Sequence, residues 1–111
     1  MCMIGKDTTM FDLQKWCMEH GVIARSEKAF YTALETYKND DAEEYSEVFY
    51  DNALPIVLIP DKVQHVCNLP DFDLGRVHVD FCIEYGGENV GFYRMIYDLD
   101  GSAFDDYLVI E

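Results

Sequence analysis

The chain has 111 residues, the size of one domain, and half of them are hydrophobic, which supports a packed core and excludes a disordered acidic tail. Its 22 Asp and Glu outweigh 8 Lys and Arg, for a formal charge of −14. The few bases are scattered, so DNA, RNA and anionic membranes are excluded as direct partners; phosphate binding needs clustered Lys and Arg.

Met1–Lys6 lacks the apolar run of an export signal. Thr9-Met10-Phe11-Asp12 can cap a first helix, in which Leu13, Trp16, Cys17 and His20 recur at helical spacing. Gly21 is placed to stop it. Ser26 is the predicted N-cap of a second helix, whose apolar stripe is Ala29, Phe30, Ala33, Leu34 and Tyr37.

The next stretch reads NDDAEEYSEVFYDN, from Asn39 to Asn52, with six acids and no base. It predicts a third helix capped by Asp40 or Asp41, with Ala42, Tyr45, Val48 and Phe49 on one face. Glu43, Glu47 and Asp51 then run down another face four residues apart, with Glu44 beside them. Acids in the first turn are favoured by the helix dipole, but Glu47 and Asp51 lie near its negative end, and like charges at that spacing cost a helix about 0.2–0.5 kcal/mol per pair, so the stripe does not help it form. The bland reading is a solvated face. The functional reading gains weight because the acid excess recurs near the C-terminal end. Tyr50 is the aromatic expected outside the helix core.

Ile56–Ile59, between Pro55 and Pro60, predicts a short, well-buried strand. The apolar run Ala53–Ile59 is too short to span a bilayer. A helical turn is expected over Asp61–Asn68 and a loop over Leu69–Leu74. The period then changes to two. Val77, Val79, Phe81, Ile83 and Tyr85 alternate with polar residues, the pattern of a half-buried strand. A turn at Gly86-Gly87-Glu88-Asn89 leads to a strand over Val90–Tyr97, and Asp98-Leu99-Asp100-Gly101 turns into a last strand over Ser102–Ile110. This register sets Arg94 opposite Asp106 and Phe92 opposite Leu108. One face then carries Val90, Phe92, Ile96, Phe104, Leu108 and Ile110; the other carries Tyr93, Met95, Tyr97, Tyr107 and Val109. Helices cover the tyrosine face in the first reading, and a partner covers it in the second. The fold class is α+β: about three N-terminal helices on a C-terminal antiparallel meander of three to four strands, one domain over residues 1–111.

The motifs for catalysis are missing. No histidine sits in a catalytic pattern, and there is no phosphate-binding glycine loop, dinucleotide fingerprint or GxSxG. Cys17 and His20 share a helix face with Leu13 and Trp16, where packing is the simpler role. His65, Cys67, His78 and Cys82 are conceivable zinc ligands, but their spacing is not that of a structural site. Asp98 to Gly101 lacks the further acids of a calcium loop. No metal and no cofactor is expected. Four widely spaced cysteines without a CxxC pair read as reduced thiols in a cytoplasm.

In composition the chain resembles small acidic, aromatic-rich inhibitor proteins: toxin-immunity proteins and phage anti-defence proteins such as anti-CRISPRs and DNA mimics. The resemblance implies a non-enzymatic inhibitor that fills the basic groove of a nuclease or other nucleic-acid-binding protein. Acids would steer the encounter and aromatics would slow release. One expected partner-binding region is Asp40, Asp41, Glu43, Glu44, Glu47, Tyr50 and Asp51. The other is Tyr93, Tyr97, Asp98, Asp100, Asp105 and Tyr107. The alternative is an interaction module or homodimeric subunit joined through an exposed sheet face. A thiol or zinc protein is the third reading.

Overall fold

The computed structural model describes residues 12–51, 53–67 and 75–111. Three helices come first: α1 (Leu13–His20), α2 (Val22–Asp40) and α3 (Ala42–Val48). Four strands follow: β1 (Ile56–Val66), β2 (Arg76–Tyr85), β3 (Glu88–Asp98) and β4 (Ala103–Ile110). They form one antiparallel sheet in sequential order, so the expected α+β arrangement is the one observed. Helices and sheet share one hydrophobic cluster. The expected Thr9–Phe11 part of the first cap and the Leu69–Leu74 loop lie outside the described residues.

Asp12 caps α1 by accepting the Lys15 N–H at 3.1 Å, and Gly21 ends it in the left-handed region. The second helix starts at once, at Val22, and not after Ser26. The correction has a simple cause. Ser26 lies four residues from both Val22 and Phe30, inside the buried stripe Val22–Ser26–Phe30–Leu34. Its hydroxyl, fully buried, shares a 2.9 Å hydrogen bond with the Tyr97 hydroxyl, which removes the cost of burying it.

The corner between α1 and α2 grips the turn between β3 and β4. The Trp16 indole N–H donates to the Leu99 carbonyl at 2.8 Å, and Arg25 donates to the Gly101 carbonyl at 2.8 Å. Gly101 has φ +93°, and any Cβ there would collide with the His20 ring. Glycine is therefore required on two counts.

Alternation divides the sheet into two faces. The inner face carries Val77, Val79, Phe81, Ile83 and Tyr85 from β2 with Tyr93, Met95 and Tyr97 from β3, all buried. Phe30 meets Tyr93 edge-on at 5.5 Å, Trp16 meets Tyr97 at 6.2 Å, and Phe49 meets Tyr85 at 5.2 Å. Full burial of each such ring contributes on the order of 1.5–3 kcal/mol. Tyr93 and Tyr97 are thus core residues, and their expected role as a partner surface is corrected: the protein's own helices cover them.

Two further expectations fail on register. Asp61–Val66 is strand and not a helical turn, because β1 continues past Pro60 through an irregularity between Pro60 and Lys62. It is an edge strand, where proline's missing N–H is tolerated. It is also not well buried: Val57 and Ile59 are exposed. In β4 the turn sets Tyr97 opposite Ala103 as expected, but a shift between Ile96 and Tyr97 then admits Phe104 as an extra residue. Arg94 consequently faces Tyr107, and Phe92 faces Val109. A one-residue shift moves every later side chain to the other face. Leu108 joins Tyr93 on the inner face, while Tyr107 and Val109 move to the outer face.

Candidate protein-docking surfaces

The acids at the α2–α3 corner lie on the surface. Asp40 ends α2, and Asp41 caps α3 by accepting the Glu44 N–H at 3.2 Å. Glu43 and Glu47 are exposed one turn apart. Glu44 accepts a 2.9 Å hydrogen bond from the Tyr37 hydroxyl. Burial, that bond and the charges of Glu44, Asp41 and Glu47 push the Tyr37 hydroxyl up to about 12. Tyr50 stands out at 74 % exposure, edge-on to Tyr85 at 5.6 Å.

The expected stripe of Glu43, Glu47 and Asp51 on one helix is not formed. The helix ends at Val48 because Phe49 turns inward onto Tyr85. The Tyr85 hydroxyl then donates to the Asp51 carbonyl at 2.8 Å and holds the chain there. The Asp51 carboxylate accepts the Ala53 N–H at 2.9 Å, so it serves the turn.

The acids of β3 and β4 are placed differently. Asp98 pairs with Arg76 at 3.0 Å. Asp100 accepts from both the N–H and the hydroxyl of Ser102, which holds its carboxyl below the usual range. Asp105 accepts the Asp106 N–H at 2.8 Å. Asp106, expected opposite Arg94 but placed opposite Met95, accepts a 2.7 Å hydrogen bond from the Tyr93 hydroxyl. Burial and that bond push the Tyr93 hydroxyl up. Tyr107 is exposed, on the outer face.

Several cations are engaged within the protein. Arg94 grips the buried Asp80 with two bonds, at 2.7 and 3.0 Å. Arg25 serves two carbonyls and lies over the Tyr97 ring, and Lys38 lies over the Tyr45 ring. Lys38 stands at the acid corner itself, in the last turn of α2, but among the described residues no ion pair joins a cation to Asp40, Glu43 or Glu47.

The other chemistry considered above finds little support in the geometry. Cross-strand pairing puts His65 on the inner face with Val77, while His78 and Cys82 lie on the outer face with Ile96 and Phe92. The four conceivable zinc ligands do not converge, and no group of three metal-binding side chains occurs among the described residues. Cys17 packs against the core, and burial pushes its thiol up. A groove of about 740 Å³ runs between α2 and the β3–β4 side of the sheet, past Arg25, Lys28, Thr32, Met95 and Asp106. It contains no nucleophile paired with a base. Among the described residues, no helix is long and apolar enough to cross a membrane.

The fold and surface together define an α+β protein with helices on one face of a four-stranded meander and an acidic corner at its helical layer. The chain matches no protein-family model, no curated protein and no solved structure.

Proposed function

We propose that this is a non-enzymatic acidic inhibitor, which docks its α2–α3 corner on a basic, nucleic-acid-acting protein and occludes that protein's nucleic-acid surface, in a cytoplasm. One observation carries the reading: Asp40, Glu43 and Glu47 are exposed at this corner, and Tyr50, two residues past the end of α3, is 74 % exposed. Exposed acids steer encounter with a positive groove, and an exposed aromatic supplies the burial that slows release. The steering acids fall off with ionic strength, so affinity for such a partner declines as salt rises.

The test is charge reversal of the acids that hold no structural bond. Asp40→Lys with Glu43→Lys and Glu47→Lys is expected to abolish binding to the basic partner while the thermal midpoint stays within a few degrees of wild type. Tyr50→Ala is expected to speed dissociation more than it slows association. Undiminished affinity in the triple variant would sink the reading.

A further inference from the structure

The outer face of the sheet is more apolar than a solvated face needs to be. One complete cross-strand row reads Ile59–Cys82–Phe92–Val109, contributed by all four strands in turn. Phe92 is 37 % exposed, Val57, Ile59 and Tyr107 are exposed in this row or the rows next to it, and Phe104 is exposed at the far end of the same face, against Arg76. No described helix covers this face, since the helices pack on the other one. An open antiparallel face ordinarily alternates to polar, and contiguous exposed apolar surface marks an interaction site.

We infer that this face is the interface between two copies of the chain, packed sheet to sheet. Charge decides the occupant. The outer face holds three of the eight cations, Lys62, Arg76 and Arg94, and two of them are paired there with Asp98 and Asp80. In a chain of charge −14 it is close to balanced, and so it gives a basic partner little to prefer. A twofold interface sets one patch against itself and needs no opposite charge, which suits an apolar row.

Distance and area agree. Packed sheets lie about 10 Å apart and each helical layer stands about another 10 Å out, so the two acidic corners would be roughly 30 Å apart, beyond a Debye length of about 8 Å. Four strands about 4.8 Å apart and some 30 Å long present on the order of 600 Å² in plan. Side-chain relief brings that close to the roughly 800 Å² per partner of a standard interface. The dimer presents its acidic corners in opposite directions.

Sedimentation equilibrium of the full chain over a concentration series, at low and high salt, tests this. The expected mass approaches twice 12.9 kDa at about 100 µM and is not reduced by about 1 M salt. Phe92→Glu is expected to weaken the dimer at least 100-fold, and Phe92→Leu to retain it. Tyr107→Glu, on an exposed edge position, should also weaken it and keeps the test open if Phe92→Glu does not fold. The acidic-corner triple variant should dimerise like wild type, so loss of partner binding and loss of the dimer are separate results. A monomer throughout the series, a dimer that dissociates at high salt, or a dimer unaffected by both Glu variants would overturn the proposal.

Discussion

Two acidic regions of this molecule have similar compositions and opposite circumstances. On β3, β4 and the turn between them, Asp98, Asp100, Asp105 and Asp106 each accept a bond from a neighbouring group. At the α2–α3 corner, Asp41 and Glu44 are bonded, whereas Asp40, Glu43 and Glu47 are exposed and add repulsion without a bond in return. A bonded carboxylate is explained by the fold. An unbonded run of like charges is not explained by the fold, and the proposed positive partner would give it a reason.

The contrast can be broken by mutation. Asp106→Ala should have the largest effect, because it strands the Tyr93 hydroxyl, which is fully buried, with only the Met95 sulfur near it. A loss of about 1–3 kcal/mol in urea denaturation is expected. Asp41→Ala removes the cap of α3 and should cost about 1 kcal/mol, seen as lost helix signal as well as a lower midpoint. Asp98→Ala breaks a half-exposed ion pair and should cost roughly 0.2–1 kcal/mol, less in high salt. Glu43→Gln with Glu47→Gln should stay within about 0.5 kcal/mol of wild type, with any shift upward, since a like-charge pair is removed. A large loss from that double variant would show the corner to be structural after all.

The smallest effect sharpens the contrast without touching stability. Glu44→Gln should bring the Tyr37 hydroxyl down from about 12 toward 10.0, read by ultraviolet titration, because one of the charges holding it protonated is gone. Tyr37 and Tyr93 both hold their protons more tightly in the fold than at the ordinary value of 10.0. Their contribution to stability is therefore complete below pH 10. It is lost as pH rises through the folded values, about 12 in the case of Tyr37.

Much of the fold was legible because the signals were local. Gly21 ends α1, the expected turn after Tyr85 is there but tighter, at Gly86 and Gly87 alone with Glu88 and Asn89 already in β3, and Val77 to Tyr85 alternate as they read. The failures came from long-range packing. Ser26 looks like a cap until Tyr97, 71 residues away, is seen to take its hydroxyl. Lys62 and Gln64 do not look like strand until β2 pairs with them. No local residue pattern signals the extra Phe104, yet it exchanges the two faces of β4, so that Tyr107 and Val109 stand on the outer face in place of Leu108 and Ile110. The same limit applied to the acids. Their excess and the exposure of Tyr50 could be read directly. Which of them were already engaged could not, because Arg76 and Tyr93 reach them from other positions along the chain.

The most direct measurement is capture from a lysate of the source organism, at low and high salt, with wild type and the Asp40, Glu43 and Glu47 charge-reversal variant side by side. The account predicts that wild type retains a basic nucleic-acid-binding protein at low salt, releases it at high salt, and is displaced from it by DNA or RNA, while the variant retains nothing. Equal retention by the variant, or no basic protein at either salt, would contradict it and return the acidic corner to a solvated surface.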